Sequence, residues 1–147
     1  MSEPCILSFD YGTVRVGVAR TGLSALFPSP LITLKNQPGL VGKIDQLVTS
    51  ENAVAVVVGL PRGMEGQETE QTSLTGGFVA QLKEAIDLPI YTIDEAVTSV
   101  KAREILDSKG KDYSKEDVDA MAASLILQDF IDNNSGLISN MKLGAKV

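Results

Sequence analysis

CILSFDYGTVRVGVAR, residues 5–20, decides the fold. Two apolar runs, CILSFD (5–10) and VRVGVAR (14–20), flank the short glycine-containing turn Tyr11-Gly12-Thr13, the pattern of a β-hairpin. LITL (31–34), after Pro28 and Pro30, adds a third meander strand. Leu40, Ile44, Leu47 and Val48 then recur at helical spacing, and the run AVAVVVGL (53–60) that follows is too uniformly apolar and β-branched for a strand with one wet face. It predicts a central strand buried on both faces, and strand, helix, strand in succession implies a parallel crossover.

Further along, Phe78, Leu82, Ala85 and Ile86 form the core stripe of a second helix, which contains the unfavourable pair Gly76-Gly77, a mark of a kink or close packing. IYTID (90–94) reads as the fifth strand, and a helix is expected over about 98–108. Ser114 with Asp117 three residues on has capping-box spacing, so the last helix starts there and runs to about residue 132. PRGMEGQE (61–68) is expected to be a mobile surface loop, and the tail NNSGLISNMKLGAKV (133–147) to be frayed. The order βββαβαβαα predicts one α/β domain over 1–132, with an antiparallel meander joined to two parallel strands.

The composition narrows the chemistry. The chain of 147 residues is 44% apolar, with a mean hydropathy of +0.10, as a globular fold with a proper core requires. No signal-peptide pattern and no span-length apolar run is present, and the single Cys5 cannot form an internal disulfide, so a cytoplasmic protein without a membrane partner is expected. There is no histidine, which removes Ser/His and Cys/His nucleophiles and the commonest zinc ligand together. Hydrolytic chemistry must then lean on carboxylates, metal or lysine. A net charge of −6 argues against a broad basic surface for nucleic acid, although acids that hold metal ions are neutralised when loaded.

Three acids stand where such chemistry needs them. Asp10 closes the first apolar run, Glu95 follows the fifth strand, and Asp119 begins the small-residue stretch DAMAASLILQDF about one turn inside the last helix. Ligands collect beyond the carboxyl ends of parallel strands in open α/β sheets, and carboxylates clustered there are hard-oxygen ligands for Mg²⁺ or Mn²⁺ in phosphoryl chemistry. All three are therefore candidate catalytic and metal-binding residues, expected to converge. Arg15 and Arg62 are candidate substrate-binding residues, each equally suited to a structural ion pair. Asp117 reads as a cap and Asp94 as structural. Lys101, Arg103, Lys109, Lys111 and Lys115 are interspersed with acids and read as a solvated face.

The strings FDYGTVRVGVA, VVVGLPRGMEGQE, YTIDEAVTS and DAMAASLILQDF, spread over residues 6 to about 132, resemble the YqgF family of ribonuclease H-like proteins, related to the Holliday-junction resolvases of the RuvC type. The resemblance implies a five-stranded mixed sheet in strand order 3-2-1-4-5 with helices on both faces. It also implies a nuclease of structured nucleic acid, acting on the small-subunit rRNA precursor or on branched DNA, with ribosomal particles as further partners. The family's acids fall on Asp10, Glu95 and Asp119. One departure lies beside Glu95, where the family pattern reads Asp-Glu-Arg and this chain has Asp94-Glu95-Ala96. Two other classes compete: a nucleic-acid- or ribosome-binding protein whose catalysis is lost, and a nucleotide binder of the actin and sugar-kinase type, suggested by FDYGT. The latter folds need two domains and a second phosphate loop. Monomer and homodimer are both open, a two-fold junction cutter requiring a dimer.

Overall fold

Strands β1 (Cys5–Tyr11) and β4 (Ala53–Pro61) lie side by side in parallel at the centre of the sheet, buried on both faces as their apolar runs require. A computed structural model describes residues 2–95 and 99–145 of the chain. On one flank of β1, β2 (Arg15–Gly22) and β3 (Ser29–Lys35) complete the antiparallel meander; on the other, β5 (Ile90–Glu95) pairs in parallel with β4. The strand order is β3-β2-β1-β4-β5, as the family resemblance implied.

Alternation along each strand divides the interior in two. Leu7, Phe9, Val16, Val18, Val56 and Val58 face α1 (Leu40–Ser50) and α2 (Glu70–Ala85), which answer with Ile44, Val48, Phe78 and Leu82. Ile6, Ala19, Ala55 and Val57 face the other way. They meet α4 (Lys115–Asn133) and α5 (Ser135–Ala145) through Ala123, Ile126, Leu127, Phe130 and Ile138. Helix α3 (Ser99–Ser108) packs outside α4, with Ala102 against Val118, Met121 and Ala122.

The two faces differ in side-chain size, and that difference positions α4. Its side of the sheet carries Ser8, Gly17 and Gly59 among small residues, so the helix backbone rests almost on the strands. Thr33 of β3 donates to the Glu116 carbonyl at 2.6 Å, Gly17 of β2 abuts the backbone of Asp119 and Ala120, Ser8 of β1 donates to the Ala123 carbonyl at 2.7 Å, and Gly59 of β4 lies under Ile126. Each step along α4 of three or four residues advances one strand. The match is geometric, since a helical turn rises about 5.4 Å and neighbouring strands are about 4.8 Å apart.

The expected start of α4 is capped, and α2 carries a cap that was not anticipated. Ser114 and Asp117 form a capping box at α4, and Thr69 with Thr72 forms another at α2. Gly76 and Gly77 neither break α2 nor sit against a neighbour, and nothing in the packing explains them. Within the segment 61–68, the Gly63 N–H donates to the Gln67 carbonyl at 2.8 Å, and the Gly66 N–H to the Gly63 carbonyl at 2.9 Å. The tail departs from expectation. Rather than fraying, residues 135–145 form α5, because Leu137, Ile138, Met141 and Ala145 fall on one helical face and extend the core beneath α4. Among the described residues no helix is long and apolar enough to cross a membrane.

Candidate active site at the carboxyl edge of the sheet

Asp10 is the penultimate residue of β1, and its cross-strand partner on β2 is Gly17. A Cβ at position 17 would lie 1.9 Å from the Asp119 carbonyl oxygen and 2.9 Å from the Ala120 nitrogen. Only glycine lets α4 come down here, and that descent sets Asp119 beside Asp10. Their proximity is electrostatic as well as spatial: burial, and then the charge of Asp119, push the Asp10 carboxyl up to about 6.

Arg15, at the start of β2, completes this group. Its Nε donates to Asp119 Oδ2 at 2.5 Å, with the two side chains 30% and 20% exposed. The hydrogen bond and charge of Asp119 hold the Arg15 guanidinium firmly protonated, its pKa raised above the ordinary arginine value. Neighbouring backbone is fixed by polar contacts from α2 and the β3 end. Gln71 Nε2 donates to the Tyr11 carbonyl at 2.9 Å, the Thr72 hydroxyl donates to the Pro61 carbonyl, and Asn36 Nδ2 donates to the Gly12 carbonyl at 2.7 Å. Tyr11 also stacks on Phe78 with ring centroids 4.4 Å apart. These contacts fix the backbone at the ends of β1 and β4, as a preorganised site requires.

Glu95 lies on the same edge but two strands away. It ends β5 opposite Pro61 and lines a shallow cleft of about 250 Å³ with Arg62, Gly63, Met64, Gly66 and Asp94. Arg62 is held by acids there, its Nη2 and Nε lying 3.1 and 3.2 Å from Asp94 Oδ1 and its Nη1 3.4 Å from Glu68 Oε1. Asp94 is therefore structural, as its sequence context suggested, and Asp117 is the cap.

The expected convergence of three carboxylates is not what the side chains adopt. Asp10 and Asp119 come together, Glu95 stays at the end of β5 two strands away, and among the described residues no group of three or more acids, histidines or cysteines is gathered as a metal ligand set. The reason lies in the backbone: Glu95 ends β5, two strands from β1, whereas Gly17 lets α4 descend and set Asp119 next to the end of β1, where Arg15 pairs with it. Ala96, where the family pattern has arginine, lies outside the described residues. Sequence reasoning missed Gly17, Ser8 and Gln71, which position the acids without being acidic. Of these only Gly17 left a signal, an isolated glycine inside a strand, which marks close backbone approach.

Comparison with known proteins agrees with this architecture. The family described as "RuvX: Holliday junction resolvase" matches residues 4–133. A Chloroflexus aggregans protein named "Putative pre-16S rRNA nuclease" is 37% identical over 136 residues, covering 90% of this chain and 96% of its own. A Pseudomonas fluorescens protein of the same name is 36% identical over 145 residues, covering 95% of this chain and 100% of its own. Among solved structures, Thermus thermophilus RuvC bound to a Holliday junction superposes with a TM-score of 0.52 at 16% identity, over 88% of this chain and 95% of that one. The fowlpox virus resolvase, also bound to junction DNA, gives 0.55 at 11% identity over 87% and 97%. These last two likenesses are of fold, the ribonuclease H-like sheet. With the family matched across nearly all of its length, and close relatives covered end to end, the chain belongs to the RuvX (YqgF) family.

Proposed function

We propose that this protein is a metal-dependent endonuclease that hydrolyses phosphodiester bonds in structured nucleic acid, with the 16S rRNA precursor named for its relatives as the substrate. The observation that carries the proposal is the pairing of Asp10 with Asp119 at the carboxyl edge of the parallel strands, where Gly17 permits the helix that brings them together. Their oxygens are of the hard type that Mg²⁺ or Mn²⁺ prefers, so the residues fit such an ion. Asp10 and Asp119 would hold it, with Glu95 as a further ligand from the same edge. A bound divalent ion supplies Lewis-acid stabilisation of the phosphorane-like charge and lowers the pKa of an attacking water.

The chain's own groups do the rest. Asp10 and Asp119 concentrate negative charge at one point of a rigid strand edge, which no histidine base need supplement. Arg15 and Arg62 flank that edge and orient phosphates on either side of the scissile bond. Product ends are 5′-phosphate and 3′-hydroxyl.

The test is to incubate the protein with Mg²⁺ or Mn²⁺ and labelled rRNA-precursor and four-way-junction substrates. Wild-type protein should cleave, and Asp10→Asn, Glu95→Gln and Asp119→Asn should each lose activity by orders of magnitude with unchanged fold and non-additive effects. Any variant of the three with near wild-type turnover removes that residue from the site. Metal-independent binding of ribosomal particles without cleavage by the wild type would favour the binding-protein alternative instead.

A further inference from the structure

Arg15 occupies a coordination position of Asp119, and this has a consequence for how the site loads. Its Nε takes Asp119 Oδ2 at 2.5 Å, on the carboxylate that lies beside Asp10. Arg15 takes one of the two Asp119 oxygens, which leaves a divalent ion held by Asp10 and Asp119 fewer lone pairs, and a guanidinium at that distance adds direct charge repulsion against the ion. The pair is not sealed in: the two side chains are 30% and 20% exposed, so Arg15 can leave at small cost. Only Nε is engaged with Asp119, and the fork of remaining N–H donors is the one that matches phosphate.

We propose that Arg15 is the resident counter-charge of Asp119, competing with the divalent ion until substrate arrives, and that it exchanges the carboxylate for a substrate phosphate as the ion takes its place. Arg15 acts on the metal through Asp119 and is in that respect a positioning residue; its phosphate contact comes with substrate. The exchange couples the two binding events, since a phosphate that draws Arg15 away raises the affinity of Asp119 for the ion, and by linkage the ion raises the affinity for phosphate. It also keeps the acid pair neutralised in the unloaded protein, where two carboxylates without a cation would repel.

The inference rests on the metal-dependent assignment of this site, and a metal-binding measurement without nucleic acid separates the two. Mn²⁺ is titrated by electron paramagnetic resonance into wild-type protein, Arg15→Gln, Arg15→Lys and Asp119→Asn at fixed low ionic strength. Arg15→Met serves as a second uncharged replacement that keeps the apolar stem, and circular dichroism verifies folding of each. Removing a partly exposed competing ion pair should tighten Mn²⁺ binding by Arg15→Gln and Arg15→Met about fivefold, leave Arg15→Lys near wild type, and weaken it strongly in Asp119→Asn. If wild type binds Mn²⁺ and the uncharged variants bind it equally or more weakly, Arg15 aligns Asp119 rather than competing for it, and the exchange is overturned while the metal assignment stands. If no variant and no wild-type protein binds Mn²⁺ at millimolar concentration, the metal assignment itself fails and the exchange with it.

Discussion

Asp10 is a carboxylic acid whose ionisation the fold opposes. Its carboxyl is pushed to about 6 by burial and by Asp119, above the ordinary value of 3.8. The unfolded chain therefore releases this proton at a lower pH than the folded one. Between about pH 4 and 6 the folded state binds more protons, so stability from this group falls as pH rises, and the penalty is complete above about 6. Asp10→Asn should accordingly be more stable than wild type at pH 7.5 without divalent ions, by on the order of 1–3 kcal/mol, and melt at a higher temperature. At pH 4 that difference should vanish. Melting curves at the two pH values decide it, and an Asn variant no more stable than wild type at pH 7.5 would show that Asp10 pays no burial penalty. Adding Mg²⁺ should reverse the order, because only the carboxylate gains from the ion.

Helix α4 is the element that makes the site, and its seating depends on what lies under it. At Gly17 a methyl would meet the backbone of Asp119 and Ala120, which cannot move without shifting the helix; at Gly59 its nearest neighbours would be side-chain atoms of Ile126, Cδ1 at 2.6 Å, Cγ1 at 3.0 Å and Cγ2 at 3.4 Å, which can give way without moving the helix backbone. Gly17→Ala should therefore cost about 2–4 kcal/mol and abolish cleavage, whereas Gly59→Ala should cost under about 1.5 kcal/mol and keep most of the activity. Urea denaturation beside a cleavage assay compares them, and equal effects would refute the close seating at β2. Helix α5 offers a second check. Ile138 is 2% exposed within the same core, so Ile138→Ala should destabilise the protein by about 2–4 kcal/mol, where a frayed tail would give no measurable change.

At the scale of the whole molecule, charge sets the conditions for binding. The chain carries −6, and its two site-edge arginines are already committed to acids. A polyanion approaching that edge meets net repulsion unless a cation intervenes. Divalent ions should thus be needed for binding as well as for cleavage. At constant ionic strength, replacing Mg²⁺ with EDTA and monovalent salt should weaken binding of a non-cleavable substrate at least about tenfold. Filter binding or fluorescence anisotropy measures this, and unchanged affinity would point to a basic surface elsewhere on the molecule.

The sheet was legible in the chain itself because its signals are local. Alternation and turn chemistry in residues 5–20 specify a hairpin, and a β-branched run at 53–60 has nowhere to go but the sheet centre, so strand number and pairing sense follow from short windows. The strand order came from family-specific strings, and the capping box of α4 from the three-residue spacing of Ser114 and Asp117. The tail was not legible in the same way: α5 has only a weak stripe, and it is held by a core that exists once α4 and the sheet have assembled. Nor was the arrangement of the acids. Residue types placed Asp10, Glu95 and Asp119 at one edge, but which of them meet depends on the depth to which α4 sinks onto Gly17 and on where Arg15 finds its partner. Both are contacts across about a hundred residues of sequence, Arg15 and Asp119 being separated by 104 in sequence, and no local pattern encodes a distance that only packing sets.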